Sequence, residues 1–150
     1  LYMYQMDGLE VYIHGYETEF QYKLNKLIDL EGSFSATRGE NLTDNSPLYY
    51  VPPDKILLST EVYLSPFSIN LMHKKVFSQD RVGLYEETTP GYETYNLIGT
   101  YTIRSTQAIH KFILQIDNIF DCKYYNHLSR IKSIMPEKGR NIGFQYRLNF

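Results

Sequence analysis

The feature that most constrains this chain is an alternation of apolar and polar residues at period two. It recurs along the whole length, and the connections between the alternating runs themselves alternate short and long. Period two describes strands with two chemically different faces. At the C-terminus Ile142, Phe144, Tyr146, Leu148 and Phe150 alternate with Asn141, Gly143, Gln145, Arg147 and Asn149. Phe112, Leu114 and Ile116 alternate with Lys111, Gln115 and Asp117, with Ile113 blurring the polar side. Ile28, Leu30, Phe34 and Ala36 alternate with Asp29, Glu31, Ser33, Ser35 and Thr37, and in 10–24 Tyr12, Tyr16, Phe20, Tyr22 and Leu24 stand against Glu17, Glu19, Gln21 and Lys23. Weaker runs occupy 55–64, 67–77 and 92–103.

This pattern predicts about seven strands of roughly 9–14 residues. Short connections fall at 25–26, 65–66 and 104–108, and long ones at 38–54, 78–91 and 119–139. A soluble sandwich or barrel has no reason to collect every long loop at one end. A transmembrane barrel has one, with tight turns on the inner side and long loops outside. Strand length agrees, since about 9–11 tilted residues cross a bilayer, and only helices and closed barrels satisfy their backbone in lipid. No apolar run approaches the ~20 residues of a spanning helix. The chain holds fifteen Tyr and eight Phe without a Trp. Phe20, Tyr22, Tyr101, Phe144, Tyr146 and Phe150 suit an interfacial girdle on the apolar face.

The opposite face carries Glu17, Glu19, Asp29, Glu31, Glu61 and Asp117 against Lys23, Lys74, Lys111 and Arg147. A dry core would desolvate these charges at large cost, so the face predicts a wet lumen or a polar partner within it. Seven strands do not close such a barrel and single-chain bacterial barrels have even counts, so the pattern describes a portion of a larger wall. Net charge is −2, which excludes a basic nucleic-acid binder, and 43% hydrophobic with 21% charged residues excludes bulk disorder. A lone Cys122 permits no intrachain disulfide. The chain begins at Leu1 without a secretory signal, which is read as processing or as a piece of something longer.

Five motifs stand out: Gly15-Tyr16-Glu17-Thr18-Glu19, the rising strand and loop from Leu30 to Asn41, Pro47-Leu48 with Val51-Pro52-Pro53-Asp54-Lys55, Asp117-Asn118-Ile119-Phe120-Asp121-Cys122-Lys123-Tyr124-Tyr125, and Gly139-Arg140-Asn141 opening a last strand that ends in Phe150. On these motifs the sequence resembles, over essentially its whole length, the C-terminal barrel portion of TonB-dependent outer-membrane receptors. His127-Leu128-Ser129 looks more like Bacteroidetes-type receptors. The resemblance implies an all-β antiparallel transmembrane barrel segment, about 7 strands of a barrel of about 22, in the bacterial outer membrane. It also implies a plug domain and TonB-contacting segment elsewhere in the protein. The implied function is active uptake of a metal chelate, a ferric siderophore first, with haem, cobalamin or a free metal ion as alternatives. Implied partners are the TonB complex, outer-membrane lipid and lipopolysaccharide, and the barrel-assembly machinery, which would read Phe144, Tyr146, Leu148 and Phe150.

Candidate binding residues lie on the predicted outer loops: Tyr49, Tyr50, Tyr124, Tyr125, His127 and Arg130. Tyr offers rigid area with a polar tip and Arg a fixed cationic fork, which suits an aromatic or anionic chelate. Ordinary packing of loop residues outweighs that reading. His14, His73, His110 and His127 show no ligand-like spacing, and Cys122 with His127 is the best pairing for a soft metal. Met3 and Met6 are further thioether candidates, though packing is the commoner role. Lumen ion pairs explain the acidic and basic residues better than acid–base chemistry does. No phosphate loop, Cys-x-x-Cys or nucleophile elbow appears, so neither an enzyme nor a resident cofactor is expected. Two rival folds remain open: a soluble ligand-binding barrel with loops unsorted by length, and a small complete outer-membrane barrel using residues 1–6 as its eighth strand.

Overall fold

A computed structural model describes residue 8 and residues 10–150. Met3, Met6 and the proposed strand at 1–6 lie outside the described residues. Every regular element described is a strand: β1 (Val11–Lys23), β2 (Ile28–Asn41), β3 (Ser46–Pro47), β4 (Lys55–Leu64), β5 (Phe67–Val76), β6 (Tyr92–Arg104), β7 (Ile109–Asp117) and β8 (Asn141–Asn149). They form one antiparallel sheet in the order β1-β2-β4-β5-β6-β7-β8, with β3 paired to the end of β2. The seven alternating runs are the seven long strands. The addition is β3, a two-residue return in which Glu40 faces Pro47 and Asn41 faces Ser46, too short to show any alternation. β2 also runs past the expected loop start at 38, because β1 continues beside it until Val11 faces Asn41. The sheet is open, and β1 and β8 are its edges.

The short connections are tight. At 24–27, Leu24 N–H donates to Ile28 O at 3.0 Å and Leu27 N–H to Asn25 Oδ1 at 2.7 Å. At 105–108, Ser105 N–H donates to Ala108 O at 2.8 Å and Ala108 N–H to Ser105 Oγ at 3.0 Å. All three long loops emerge at the other end.

Register settles the faces, since directly paired residues point the same way. One row joins Leu64, Phe67, Tyr101, Phe112 and Tyr146, and another joins Val62, Ile69, Gly99, Leu114 and Phe144. The first row is an aromatic ladder: Phe67 and Tyr101 stack at 4.7 Å between centroids, Tyr101 and Phe112 lie 6.3 Å apart, and Phe112 and Tyr146 5.1 Å. Phe144 and Tyr146 therefore stand mid-strand in β8 instead of at its end, and Phe150 follows the last paired residue. On β1 the Phe20 ring lies over Gly32, its direct partner, filling the place of the missing side chain.

This apolar face is open: Phe144 is 70% and Leu114 46% exposed. Among the described residues only Val51 and Val76 are buried hydrophobics. A water-soluble sheet would bury such a face, whereas a hydrocarbon surround solvates it. The other face carries the charged set with Ser, Thr and Asn. Its apolar members include Ile98, beside Gln115, and Ile113, beside Thr100.

Candidate functional site: a cluster of outer loops

Each long loop is internally fastened, which gives the cluster a defined shape. In the first, the Leu48 and Val51 side chains pack closely over Gly39, where a Cβ would lie 3.0 Å from each of them. The second is pinned by the Gln79–Thr89 bridge, with hydrogen bonds of 2.9 and 3.2 Å. The third is closed at its base by buried Asn118, whose Oδ1 accepts Cys122 N–H at 2.9 Å and whose Nδ2 donates to Cys122 O at 2.8 Å. Asp121 Oδ1 then accepts Arg140 N–H at 2.7 Å.

The loops also fasten to one another. Gln79 Nε2 donates to Val51 O at 2.9 Å, and the Tyr49 ring packs on Gly83. The main knot is Glu86. Its carboxylate, 5% exposed, lies 3.1 Å from His127 Nε2 and 3.3 Å from Lys132 Nζ. It also accepts Tyr50 N–H at 3.2 Å and Gly83 N–H at 3.3 Å. One side chain thus gathers all three long loops. Arg38 and Asp54 form a bidentate pair at the foot of the first loop, 2.5 and 2.8 Å long.

His127 is the most deeply buried large side chain, 2% exposed. The Thr89 hydroxyl, at 2.9 Å, and the Lys132 ammonium, at 3.3 Å, both point to Nδ1. This places the proton of the neutral ring on Nε2, facing Glu86. The Nε2 contact lacks hydrogen-bond alignment, so it acts as a charge–dipole contact. Burial lowers the His127 pKa, Lys132 lowers it further, and Glu86 opposes both. Burial alone would raise the Glu86 pKa, but the amides of Gly83 and Tyr50 and the Lys132 ammonium outweigh it and hold the carboxyl below its ordinary value.

Above the knot is an open cavity of about 450 Å³ lined by Tyr49, Tyr50, Leu84, Tyr85, Glu86, Glu87, Arg130 and Lys132, with serines 129 and 133. Tyr50 and Tyr85 hold φ of 55° and 67°, a left-handed conformation costly for a bulky side chain and maintained here by the surrounding loops. Below it, against the polar face of the sheet, lies a second cavity of about 240 Å³ that includes Ser35, Thr37, Lys55, Lys74, Tyr92 and His127 in its lining.

Of the residues singled out from sequence, Tyr49, Tyr50 and Arg130 come together in the outer cavity. Tyr124 is instead stacked on Tyr92 at 4.3 Å, and its hydroxyl pKa is raised first by burial and then by Tyr92. Tyr125 lies beneath Lys123 Nζ, 5.9 Å from the ring centroid. His127 is turned inward, both of its nitrogens facing protein groups, so it offers no lone pair to a metal beside Cys122. Among the described residues no group of three or more His, Cys, Asp or Glu side chains is arranged to hold a metal ion. Sequence reasoning missed Glu86, Lys132, Tyr85 and Thr89, whose grouping depends on how the loops fold back.

No family model matches the sequence, and no curated protein matches it. Among solved structures the chain is similar to one described as "Copper transporter OprC", with a TM-score of 0.82 and 22% identity, over 92% of this chain and 23% of that one. The chain thus spans about a quarter of that protein's length. These findings correct the resemblance to the TonB-dependent receptors, Bacteroidetes-type or otherwise. It does not stand as a family identification: the likeness found is one of fold, and the chain forms an open sheet instead of a closed barrel. The physical reason lies in the motifs, several of which meet local structural demands. Asn118 and Asp121 close a loop, Gly32 makes room for Phe20, and alternating aromatics form the apolar face of a strand. What the chain shares with that transporter is the fold of its antiparallel sheet.

Proposed function

We propose that this chain forms part of the wall and outer loops of a bacterial outer-membrane transporter that takes up a metal, bound outside as a complex with an organic ligand. The observation that carries the reading is the convergence of three long loops on one cavity of tyrosines and cations, at one end of a sheet whose outer face is a continuous apolar band. The fold likeness to a protein described as a copper transporter supports metal as the cargo class. The lining favours a complexed metal: tyrosine rings, Arg130 and Lys132 suit the aromatic and anionic parts of a chelator, and no thiolate or imidazole lines the outer cavity. A ferric catecholate is the cargo to test first, with haem, cobalamin and bare copper as the other arms.

The role is binding and passage without catalysis. Import would draw energy through the TonB complex. The terminal strand with Phe144, Tyr146, Leu148 and Phe150 would serve the barrel-assembly machinery, and the apolar face would meet lipid and lipopolysaccharide. The test is uptake of radiolabelled iron, as its catecholate complex, by cells carrying the full-length protein or its Tyr50→Ala and Arg130→Ala variants. Each substitution should weaken binding about tenfold, the size of one lost anchor contact. Uptake of none of the four cargoes would refute the transport reading. Uptake of bare copper alone would refute the chelate.

A further inference from the structure

We infer that the inner cavity is a separate binding subsite for a small organic oxyanion, a single carboxylate- or catecholate-bearing ring, divided from the outer cavity by the Glu86–His127–Lys132 cluster. Its place on a passage rests on the uptake reading above; its chemistry does not. Lys55 on β4 and Lys74 on β5 lie on the same face of neighbouring strands, since Lys55 is paired to Val76, two residues beyond Lys74. Both line the cavity and both are half-buried. Among the described residues neither has a carboxylate within 4.0 Å, whereas Arg38, Lys75, Arg81 and Lys132 all do. The nearest acid in sequence, Asp54, is committed to Arg38 by two hydrogen bonds.

Two cations lining one concave space give it a positive field, which an anion bound there would neutralise. Hydroxyl donors are at hand in Ser35, which faces Lys55 directly, and in Thr37. Lys74 Nζ stands 5.5 Å from the centroid of the Tyr92 ring, on which Tyr124 also stacks, so the aromatic pair holds the ammonium at the cavity wall. At about 240 Å³ the space is smaller than a drug-sized pocket, so it takes one anionic ring and not a whole chelate. The dividing wall is visible in the linings: Glu86 and Lys132 face the outer cavity, His127 the inner, and the three touch one another.

The test uses the full-length protein in detergent with metal-free 2,3-dihydroxybenzoate as probe, followed by calorimetry. Lys55→Gln and Lys74→Gln should each weaken binding about tenfold to a hundredfold, the worth of one charge-assisted hydrogen bond, while Lys74→Arg should keep it. Raising ionic strength should weaken wild-type binding. Wild-type affinity in both Gln variants, with strand circular dichroism unchanged, would overturn the inference. So would no binding to wild type, or binding lost in Arg130→Ala and kept in the Lys variants, which puts the anion in the outer cavity. Lys-dependent binding of the probe without uptake of any metal complex would sink the transport reading and leave the inner subsite standing.

Discussion

Replacing Glu86 by Gln tests whether one carboxylate holds the outer loops together. The variant keeps the shape and one carbonyl acceptor but removes the charge. Its partners are largely out of water, with the His127 side chain 1% and that of Lys132 10% exposed. Removing one member of a buried ion pair typically costs about 3–5 kcal/mol, because the other charge is left without compensation. Contacts of 3.2 and 3.3 Å at Glu86 are long for charge-assisted bonds, and Lys132 can swing into the outer cavity, so the low end applies. About 3 kcal/mol corresponds to a roughly 150-fold larger population of opened loops. Hydrogen exchange on the intact protein reads this at two amides that donate to Glu86, those of Tyr50 and Gly83. The ladder amides of Val62 and Leu71, inside β4 and β5, serve as the internal reference. Both loop amides should accelerate by about two orders of magnitude while the ladder amides hold. Adding Lys132→Met should restore much of the protection, since no charge is then stranded. Loop amides at wild-type rates, or ladder amides accelerating in step with them, would refute the reasoning.

Leu114→Arg, on the apolar face between Gly99 and Phe144, should impair membrane insertion by about 2–4 kcal/mol if it lies at midplane, and Gln115→Arg on the other face should be milder; equal effects in an insertion assay would remove the face assignment. Gly32→Val forces a side chain into the space of the Phe20 ring and should destabilise by about 1–3 kcal/mol in denaturant unfolding, with Phe20→Ala in the same chain recovering part of it. Acidification should loosen the loop cluster in two stages. His127 lies below its reference pKa of 6.5 and Glu86 below 4.5, so each contributes stability present above the reference value and lost as pH falls beneath it, His127 first. Tyr50 amide protection, corrected for intrinsic exchange, should therefore fall from about pH 6.5 downward, and His127→Gln should abolish the upper stage alone.

The sheet was legible in the sequence because its two faces differ in chemistry. A residue such as Leu114 must be apolar on one side and Gln115 polar on the other, and this local demand repeats at every second position. The sorting of loops by length was equally visible, since it needs only the positions where alternation stops. The loops' interior was not. Glu86 owes its role to Tyr50, His127 and Lys132, residues 36 and 46 positions away in the first and last of these pairings, and no periodicity records such meetings. β3 escaped notice because two residues have no period.

His127 shows where the reading of chemistry turned. On an outer loop near a cysteine and two tyrosines, a histidine suggests a metal ligand, and that inference assumes its nitrogens are free. Burial reverses the assumption. A ring enclosed at 2% exposure turns both nitrogens to protein groups: Nδ1 meets Thr89 and Lys132, and Nε2 lies against the Glu86 carboxylate without an aligned hydrogen bond. The groups that satisfy it also place Glu86 and Lys132 at the floor of the outer cavity and leave the imidazole as the roof of the inner one. The residue that looked most like a cargo ligand is thereby part of the partition between two cavities. On the uptake proposed above, a cargo passing from one to the other would first disturb the contacts that keep the loops closed, so binding outside and loop opening would be coupled through the same three side chains.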